Sequence, residues 1–312
     1  MDQKILDRMM AMAEAPDAAE ASVTYMETQL RSFLKTGERV LICFSNQRIG
    51  GLGWIMEQAV LRCGGVPLIW GPDYRWKTVL QQAFFNHVTV IMAPPLIVLG
   101  LSKLGKHTGL PLYIRHAFIA GYPCLGWMLD GIVKGLDCTV HGCFSFGETG
   151  ILAGISCPHC RGVHIREDVY GVDICDEDGK VLPDGQRGEM VVYPKEQPQL
   201  QLYMDDRACR LSEPCKCGST APRLEQLGPG REVPEDIAEL GQQLHSWTSV
   251  LDCRVKRGSY GLEMELVVFP GEKLPKLPSA AKQIVRPWDP QTDTPFYYAP
   301  TVKNVDFPPE SH

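Results

Sequence analysis

Cysteine and histidine side chains cluster at two places in the sequence, at spacings that suit a metal ion. The first place is Cys157-Pro-His-Cys160 followed by His164, and the second, about 50 residues further on, is Cys215-Lys-Cys217. Short spacing within Gly- and Pro-rich loops lets backbone turns aim two sulfur atoms at one ion, and thiolates bind Zn²⁺ at about 2.3 Å. The pattern predicts a structural zinc whose four ligands come from these five residues. A set of free loop thiols is the alternative interpretation.

The other cysteines among the 12 in the chain show no metal spacing. Most lie in apolar runs, where a free thiol behaves as a small buried hydrophobe. A redox role for the Cys-x-x-Cys pair is disfavoured, because no helix start follows Cys160 to lower the pKa of a thiol. The N-terminal residues lack the apolar core of a secretory signal, which predicts a cytoplasmic protein with reduced cysteines.

Composition limits the classes of partner. The chain has 312 residues, 44% of them hydrophobic, which excludes a disordered protein. Its net charge of −6 argues against nucleic acid as a partner, because phosphate contacts require a basic face. The most hydrophobic window, 88–101, contains Pro94 and Pro95 and is too short to cross a bilayer, so no membrane association is expected.

The first half of the chain shows an alternation of strands and helices. After a helical lead-in over 1–36, short apolar runs alternate with helix-compatible segments. The runs are at 40–44, 66–70, 88–92, 116–120 and 138–146. Runs that are apolar throughout are typical of strands buried on both faces of a parallel sheet. Such a sheet places ligands at the carboxyl ends of its strands.

The pattern changes after Gly150. Residues 151–225 contain short alternating strands and two turns, at 176–179 and 183–185, which indicate an antiparallel β subdomain. A linker is expected at 226–231, then a helix over 234–247, two strands, and an irregular Pro-rich tail from Lys273. The predicted fold class is α/β: a parallel sheet flanked by helices (1–150), an antiparallel β subdomain with a zinc site (151–225), and a small α+β C-terminal domain (232–312).

One segment carries a family resemblance. His164-Ile-Arg-Glu-Asp168 and the stretch 172–192, which contains VLPDGQRGEMVV, resemble the phenylacetate–CoA ligase branch of the adenylate-forming (AMP-binding, acyl-CoA synthetase) superfamily. Further motifs resemble the family in the same order along the chain: Gly50-Gly51-Leu52-Gly53, Gly121-Tyr122-Pro123, Phe146-Gly147-Glu148-Thr149-Gly150, Cys215-Lys-Cys217-Gly218 and Gly230-Arg231. The resemblance spans about residues 20–270 and is most specific at 157–218.

The resemblance implies an activity, cofactors and partners. Family members adenylate a carboxylate with MgATP and pass the acyl group to coenzyme A, so an aryl or acyl carboxylate and CoA are the implied partners, and a homodimer is implied by analogy. The implied nucleotide-binding residues are Gly121, Tyr122, Phe146, Gly147, Thr149 and Asp206. The implied zinc ligands are Cys157, His164, Cys215 and Cys217, with Cys160 as the competitor.

The sequence also departs from the family at the positions that handle ATP and Mg²⁺. The Ser/Thr-Gly-Thr-Thr-Gly phosphate loop would precede residue 20 and is absent. Gly150 stands where a magnesium-binding Glu is expected, with Glu148 two positions away, and Arg207 stands where a ribose-binding Asp is expected. The hinge segment after Gly230-Arg231 is replaced by EVPEDIAELG. Positioned donors and Mg²⁺ neutralise phosphate charge in adenylyl transfer, so these losses are expected to impair the reaction with ATP.

Three functional hypotheses follow. The first is a ligase-like protein that forms acyl-AMP and a thioester with an incomplete ATP/Mg site, with a partner chain supplying the phosphate loop as one arrangement. The second is a catalytically inactive, zinc-stabilised homologue that binds a nucleotide, an acyl-CoA or an enzyme. The third is unrelated chemistry around His116, His141 and Cys143, which are more typical of core side chains. No catalytic residue is identified, and Lys303 is interpreted as a solvated tail residue.

Overall fold

The computed structural model describes residues 3–71, 74–122, 124–146, 151–156, 162–229, 235–280 and 282–296. Within them the helices are α1 Gln3–Glu14, α2 Pro16–Leu30, α3 Leu52–Arg62, α4 Trp76–Phe85, α5 Pro95–Thr108, α6 Gly126–Leu136 and α7 Glu235–Ser246. The strands are β1 Arg39–Ile42, β2 Val66–Ile69, β3 Val90–Ala93, β4 His116–Ile119, β5 Thr139–Phe146, β6 Ile151–Ser156, β7 Val163–Ile165, β8 Tyr170–Cys175, β9 Arg187–Pro194, β10 Leu202–Leu211, β11 Arg223–Pro229, β12 Val250–Gly258, β13 Gly261–Val268 and β14 Lys282–Pro287.

Strands β1–β5 form a parallel sheet in the order β2-β1-β3-β4-β5. The chain moves from β1 to β2 through α3, then returns to the other side of β1 and continues outward through α4, α5 and α6. The winding direction therefore reverses between β1 and β3, and in open α/β sheets that switch point is where ligands bind. The predicted parallel sheet flanked by helices is confirmed.

Alternate residues of these strands face opposite helical layers. Val40, Val90 and Phe118 pack with α2 and α3 in one core. Their neighbours Leu41 and Ile91 pack with α4, α5 and α6 in the other. Because helices cover both faces of the sheet, the residues on either face are apolar. The strands therefore appear in the sequence as continuous apolar runs.

The same sheet continues in antiparallel fashion through β6, β7, β11, β10, β9 and β8. Helix α1 covers this half, with Met9 and Ala13 in its core. The linker expected at 226–231 is wrong in its first part, because β11 extends to Pro229 and pairs with β10. The turns expected at 176–179 and 183–185 are present, closed by bonds from Gly179 N–H to the Asp176 carbonyl and from Gln186 N–H to the Pro183 carbonyl.

The C-terminal part consists of α7 and a three-stranded sheet, β12-β13-β14. Leu251, Val267 and Phe269 of this part belong to the same core as α4–α6. The irregular tail expected from Lys273 is wrong at β14, which pairs in parallel with β13. β14 is an exposed edge strand, so it lacks the apolar alternation that marks a buried one. The three-domain division of the sequence stays a prediction.

Across the residues that the structure describes, every helix is too short or too polar to cross a membrane.

Candidate functional site

Strand β7, which carries His164, and the loop that carries Cys215 and Cys217 meet at one end of the antiparallel half. His164 lies at the centre of β7, paired with Ile155 of β6 and with Arg223 of β11. The loop between β10 and β11 carries Cys215 and Cys217. Residues about 50 positions apart in the sequence become neighbours because β7 and β11 are adjacent strands. His164, Cys215 and Cys217, termed here the thiol–imidazole cluster, have ligand atoms that all lie within 4.8 Å of one another.

The distances within the cluster suit a tetrahedral ion. His164 Nε2 lies 3.3 Å from Cys215 Sγ and 3.4 Å from Cys217 Sγ. Ligands of a tetrahedral zinc, with bonds of about 2.0–2.3 Å, stand about 3.6 Å apart. His164 Nδ1 is 3.3 Å from the carbonyl oxygen of Ala221, and a donated hydrogen bond there leaves Nε2 as the lone-pair nitrogen that faces the sulfurs. The donor set therefore fits a thiophilic divalent metal such as Zn²⁺.

Backbone N–H groups also point at the sulfurs. Cys217 N–H donates to Cys215 Sγ at 3.5 Å, and Ser219 N–H donates to Cys217 Sγ at 3.4 Å. Both N–H groups are therefore directed at the sulfur atoms that would bind a metal. A turn closed by the bond from Gly218 N–H to the Cys215 carbonyl directs both sulfurs to the same side. Cys215 is buried and Cys217 is exposed, so the cluster lies at the surface.

A buried arginine fixes the base of the cysteine loop. The guanidinium of Arg223, only 5% exposed, donates to the carbonyl of Glu213, which precedes the two cysteines. Arg223 is also the residue paired with His164 across β11 and β7. One side chain thus ties the cysteine loop to the strand that presents the imidazole. Nothing in the spacing of the sequence indicated this role for Arg223.

Cys157 and Cys160, the other two predicted ligands, lie outside the described residues. The structure therefore brings together three of the five predicted ligands and leaves the choice of the fourth as a prediction.

The second candidate site is a crevice at the carboxyl ends of β1, β3 and β4, at the switch point of the sheet. Phe44 and Pro94 follow β1 and β3, and Gly121 follows β4. Gly121 has φ +97°, and a Cβ there would lie 3.6 Å from the Phe44 ring and 3.9 Å from Pro94. Gly53, in the first turn of α3, also approaches the backbone closely, because a Cβ there would lie 2.3 Å from the carbonyl oxygen of Ser45. The start of α3 and the backbone that follows β1 are therefore in close contact beside these strand ends.

Tyr122 is held at the rim of the crevice. Its hydroxyl accepts a hydrogen bond from Leu96 N–H at 3.2 Å, at the first turn of α5. This bond satisfies one of the N–H groups that a helix start leaves without an intrahelical partner. Gly121 and Tyr122, two of the residues predicted to bind nucleotide, thus follow the carboxyl end of β4.

The remaining nucleotide-side residues are located only in part. Phe146 ends β5, and Gly147 and Thr149 lie outside the described residues. Asp206 is in β10, at an irregularity between the pairs Tyr203–Val191 and Arg207–Glu189, where three residues of β10 lie opposite one residue of β9. A bulge of this kind bends the strand and increases its local twist.

Two further groups of titratable side chains come together in the fold: a histidine pair already named in the third hypothesis, and a Lys103–Asp252 group that no motif indicates. His116 Nδ1 lies 3.2 Å from His141 Nε2, and Phe33 stacks on His116. Burial, and to a smaller extent the neighbouring His116, lower the pKa of His141 to about 4. Elsewhere, burial lowers the pKa of Lys103 to about 8 and raises that of Asp252 to about 7. Partners so far apart in sequence leave no local signal.

No protein-family profile matches the sequence, and no curated protein matches it. Solved structures do match its fold. A 2-hydroxyisobutyryl-CoA ligase in the postadenylation state, in complex with R3-HIB-AMP, is 16% identical with a TM-score of 0.65, covering 81% of this chain and 59% of that chain. A benzoate CoA ligase from Burkholderia xenovorans LB400 is 12% identical with a TM-score of 0.54, covering 85% and 62%.

An anthranilate CoA ligase in complex with anthranoyl-AMP is 12% identical with a TM-score of 0.55, covering 88% of this chain and 61% of that chain. The chain thus spans about six tenths of the length of the solved structures it matches. At these identities the likeness concerns the fold alone. The fold expected from the adenylate-forming resemblance is confirmed, whereas the phenylacetate–CoA ligase branch stays a prediction. Over the 81–88% of this chain that the matches cover, it shares its fold with about six tenths of an acyl-CoA ligase.

Proposed function

We propose that the chain is an adenylate-forming, ligase-like protein of the phenylacetate–CoA ligase type, whose strand-end crevice holds an acyl adenylate made from an aryl or acyl carboxylate. The supporting observation is the switch-point crevice itself, walled by Gly121 and Phe44, in a fold shared with ligases solved with acyl-AMP. In this proposal the acyl group passes to coenzyme A.

The residues of this chain perform defined parts of that activity. Gly121 lets the backbone approach a flat ligand, because any side chain there would be strained at φ +97° and would face Phe44. The hydroxyl of Tyr122 holds the loop that follows β4 against the start of α5. The magnesium-binding Glu and the ribose-binding Asp expected from the family are replaced here by Gly150 and Arg207. We therefore infer that adenylate binding is retained more fully than ATP turnover.

Binding of a stable acyl-AMP mimic tests the crevice separately from catalysis. Calorimetry with a panel of aroyl-sulfamoyl adenosines should give saturable binding to the wild type. Gly121→Ala should weaken it about tenfold or more, since a misplaced wall costs over 1.4 kcal/mol. Gly109→Ala is the matched control, because Gly109 also has positive φ but ends α5 at the opposite edge of the sheet. Equal loss in both variants, or no binding at all, refutes an adenylate site.

Pyrophosphate release with MgATP and a panel of aryl carboxylates tests turnover. Release by the chain alone supports the complete ligase activity. Mimic binding without pyrophosphate release supports the retained-binding form of the proposal.

The thiol–imidazole cluster favours a second function, a zinc-stabilised binding homologue without catalysis. We propose that His164, Cys215 and Cys217 hold Zn²⁺ together with Cys157 or Cys160. Bound zinc would tie the β10–β11 loop to the β6–β7 hairpin and supply structural stability. A folded zinc protein that binds neither the mimic nor MgATP would support this function over the first.

Cobalt substitution tests the ligand set. Co²⁺ bound to the chain should show sulfur-to-metal charge-transfer absorption, reduced in Cys215→Ser and Cys217→Ser. Loss in either Cys157→Ser or Cys160→Ser, but not both, identifies the fourth ligand. Cys63→Ser is the matched control, since Cys63 is a free thiol that caps the end of α3 and is not part of the cluster. An unchanged spectrum in Cys215→Ser refutes the site.

A further inference from the structure

A cavity of about 620 Å³ lies between α5, α6 and α7. Its described lining residues come from these three helices and from the loops after α7 and β13. The eleven-stranded sheet contributes none of these described lining residues, so the cavity is separate from the strand-end crevice and from the thiol–imidazole cluster. Its size falls within the range of pockets that hold small organic ligands, about 300–1,000 Å³.

Aromatic side chains form part of the wall. Trp127 from α6 and Trp247 from the end of α7 both line the cavity and are partly exposed. The Trp127 ring stacks on the buried His245 ring, with centroids 4.7 Å apart, which fixes the plane of the indole. A flat apolar ligand finds a preoriented surface there, because offset stacking is the favoured arrangement of aromatic rings.

The charges at the cavity favour an anion. Lys103, Lys106 and Lys134 line it, against the two carboxylates Asp130 and Glu272. Glu272 already faces His107, at 4.0 Å between Oε1 and Nδ1. The lysines on α5 and α6 therefore outnumber the acids available to them.

Lys103 is the lysine set deepest. Its Nζ donates to the carbonyls of His245 at 2.9 Å and of Val250 at 2.7 Å. An ammonium group has three N–H donors, so these two bonds leave one for a ligand. Burial lowers the pKa of Lys103 to about 8 even though the nearby Asp252 carboxyl raises it, so a further anion beside it would stabilise the charged form.

From the cavity, its tryptophan wall and its lysines, we propose a binding site for a small aromatic anion, with the ring on Trp127 and the anionic group toward the lysines. This site does not depend on the adenylate proposal. Lys106 and Lys134 lie at its exposed mouth, so substituting them should leave the fold intact. Lys103 is kept, because it also caps the end of α7.

The test uses 1-naphthoate as the probe and 1-naphthalenemethanol as its uncharged counterpart. Binding is followed through the indole N–H signals of Trp127 and Trp247, assigned with Trp127→Phe and Trp247→Phe. Naphthoate should shift both signals saturably and bind about tenfold more tightly than the alcohol, as expected for one charge-assisted hydrogen bond.

The double variant Lys106→Met/Lys134→Met should weaken naphthoate binding about tenfold and leave binding of the alcohol unchanged. Lys180→Met is the matched control, because Lys180 is exposed on the turn after β8 and lies outside the cavity. Three results each overturn the proposal: no saturable shift at the two tryptophans, equal affinity for acid and alcohol, or equal affinity in the double variant and the wild type. Binding at the strand-end crevice would produce the third result.

Discussion

The two halves of the eleven-stranded sheet are stabilised in different ways. Strands β1–β5 are covered on both faces by helices, and Trp76 of α4 is fully buried against them. In the antiparallel half, β9 alternates exposed Arg187 and Glu189 with buried Gly188 and Met190. The candidate sites differ in the same way: the one in the parallel half lies at strand ends, whereas the one in the antiparallel half combines two thiols on a loop with an imidazole on β7.

The two candidate sites therefore depend on different interactions for their geometry. A crevice at a switch point is preformed by the packing of strands and helices. A site made of His164 and two loop cysteines is held by Arg223 and short hydrogen-bonded turns, and a metal would complete it. The parallel half should therefore depend on its core and the antiparallel half on metal.

The largest expected effect comes from Trp76→Ala. Trp76 is fully buried, and its Nε1 donates to the Leu96 carbonyl at 3.2 Å. Loss of its volume should lower the free energy of unfolding by about 3–5 kcal/mol, measured by urea denaturation. Phe85→Ala, on the same helix but 69% exposed, is the control and should change stability by no more than about 0.5 kcal/mol. Equal effects of both would contradict the assignment of the core to this face.

Metal removal should have the next largest effect, and a local one. At free Zn²⁺ about 100 times the Kd, bound metal stabilises the folded state by about 2.7 kcal/mol, which a chelator would remove. Hydrogen exchange should speed up in β6, β7, β10 and β11 and stay slow in β1–β5. Cys215→Ser should abolish the response to chelator, whereas Cys63→Ser should keep it. Faster exchange spread evenly over both halves would reject a metal-dependent antiparallel half.

The same division explains how much was predictable from the sequence. Strands β1–β5 were recognised as apolar runs because both of their faces are buried. Strand β10, with Asp205, Asp206 and Arg207 in its middle, was not recognised, since charges and a bulge break its alternation. The edge strand β14 is not predictable from the sequence because it has no buried face to produce an apolar alternation.

The sites follow the same rule. Cys215, Cys217 and His164 were predictable because each motif is local in sequence. The contacts of Lys103 with His245 and Val250 join residues more than 140 positions apart, and only the packing of α5 on α7 creates them. Sequence spacing carries no signal for such a pair.

Acid should weaken the parallel half by an intermediate amount. The pKa of His141 is lowered to about 4 in the folded chain, mainly by burial, against about 6.5 when unfolded. The unfolded state therefore binds more protons between these values, and stability is lost as pH falls from about 6.5 to 4. The contribution should be about 2 kcal/mol between pH 8 and pH 5.

Urea unfolding of the wild type and His141→Gln across this range isolates the effect as the difference between two profiles. His87→Asn, at an exposed histidine, is the control and should reproduce the wild-type profile. If His141→Gln also follows the wild-type profile, His141 is not the group that carries the acid sensitivity.

The smallest expected effect is a gain in stability. It concerns the C-terminal ends of two helices within the parallel half. Helix α5 ends at Gly109 with φ +67°, whereas α6 ends at Asp137 with φ +53°, a conformation costly for a side chain. Asp137→Gly should relieve this strain and remove a negative charge from the helix C-terminus, and the greater freedom of glycine in the unfolded chain offsets part of the gain. The net stabilisation should be about 0.5 kcal/mol, measured by urea denaturation. Gly109→Asp, the reverse change at the matched position, should destabilise by a similar amount, and a gain in both variants would show that left-handed strain does not set the stability of these ends.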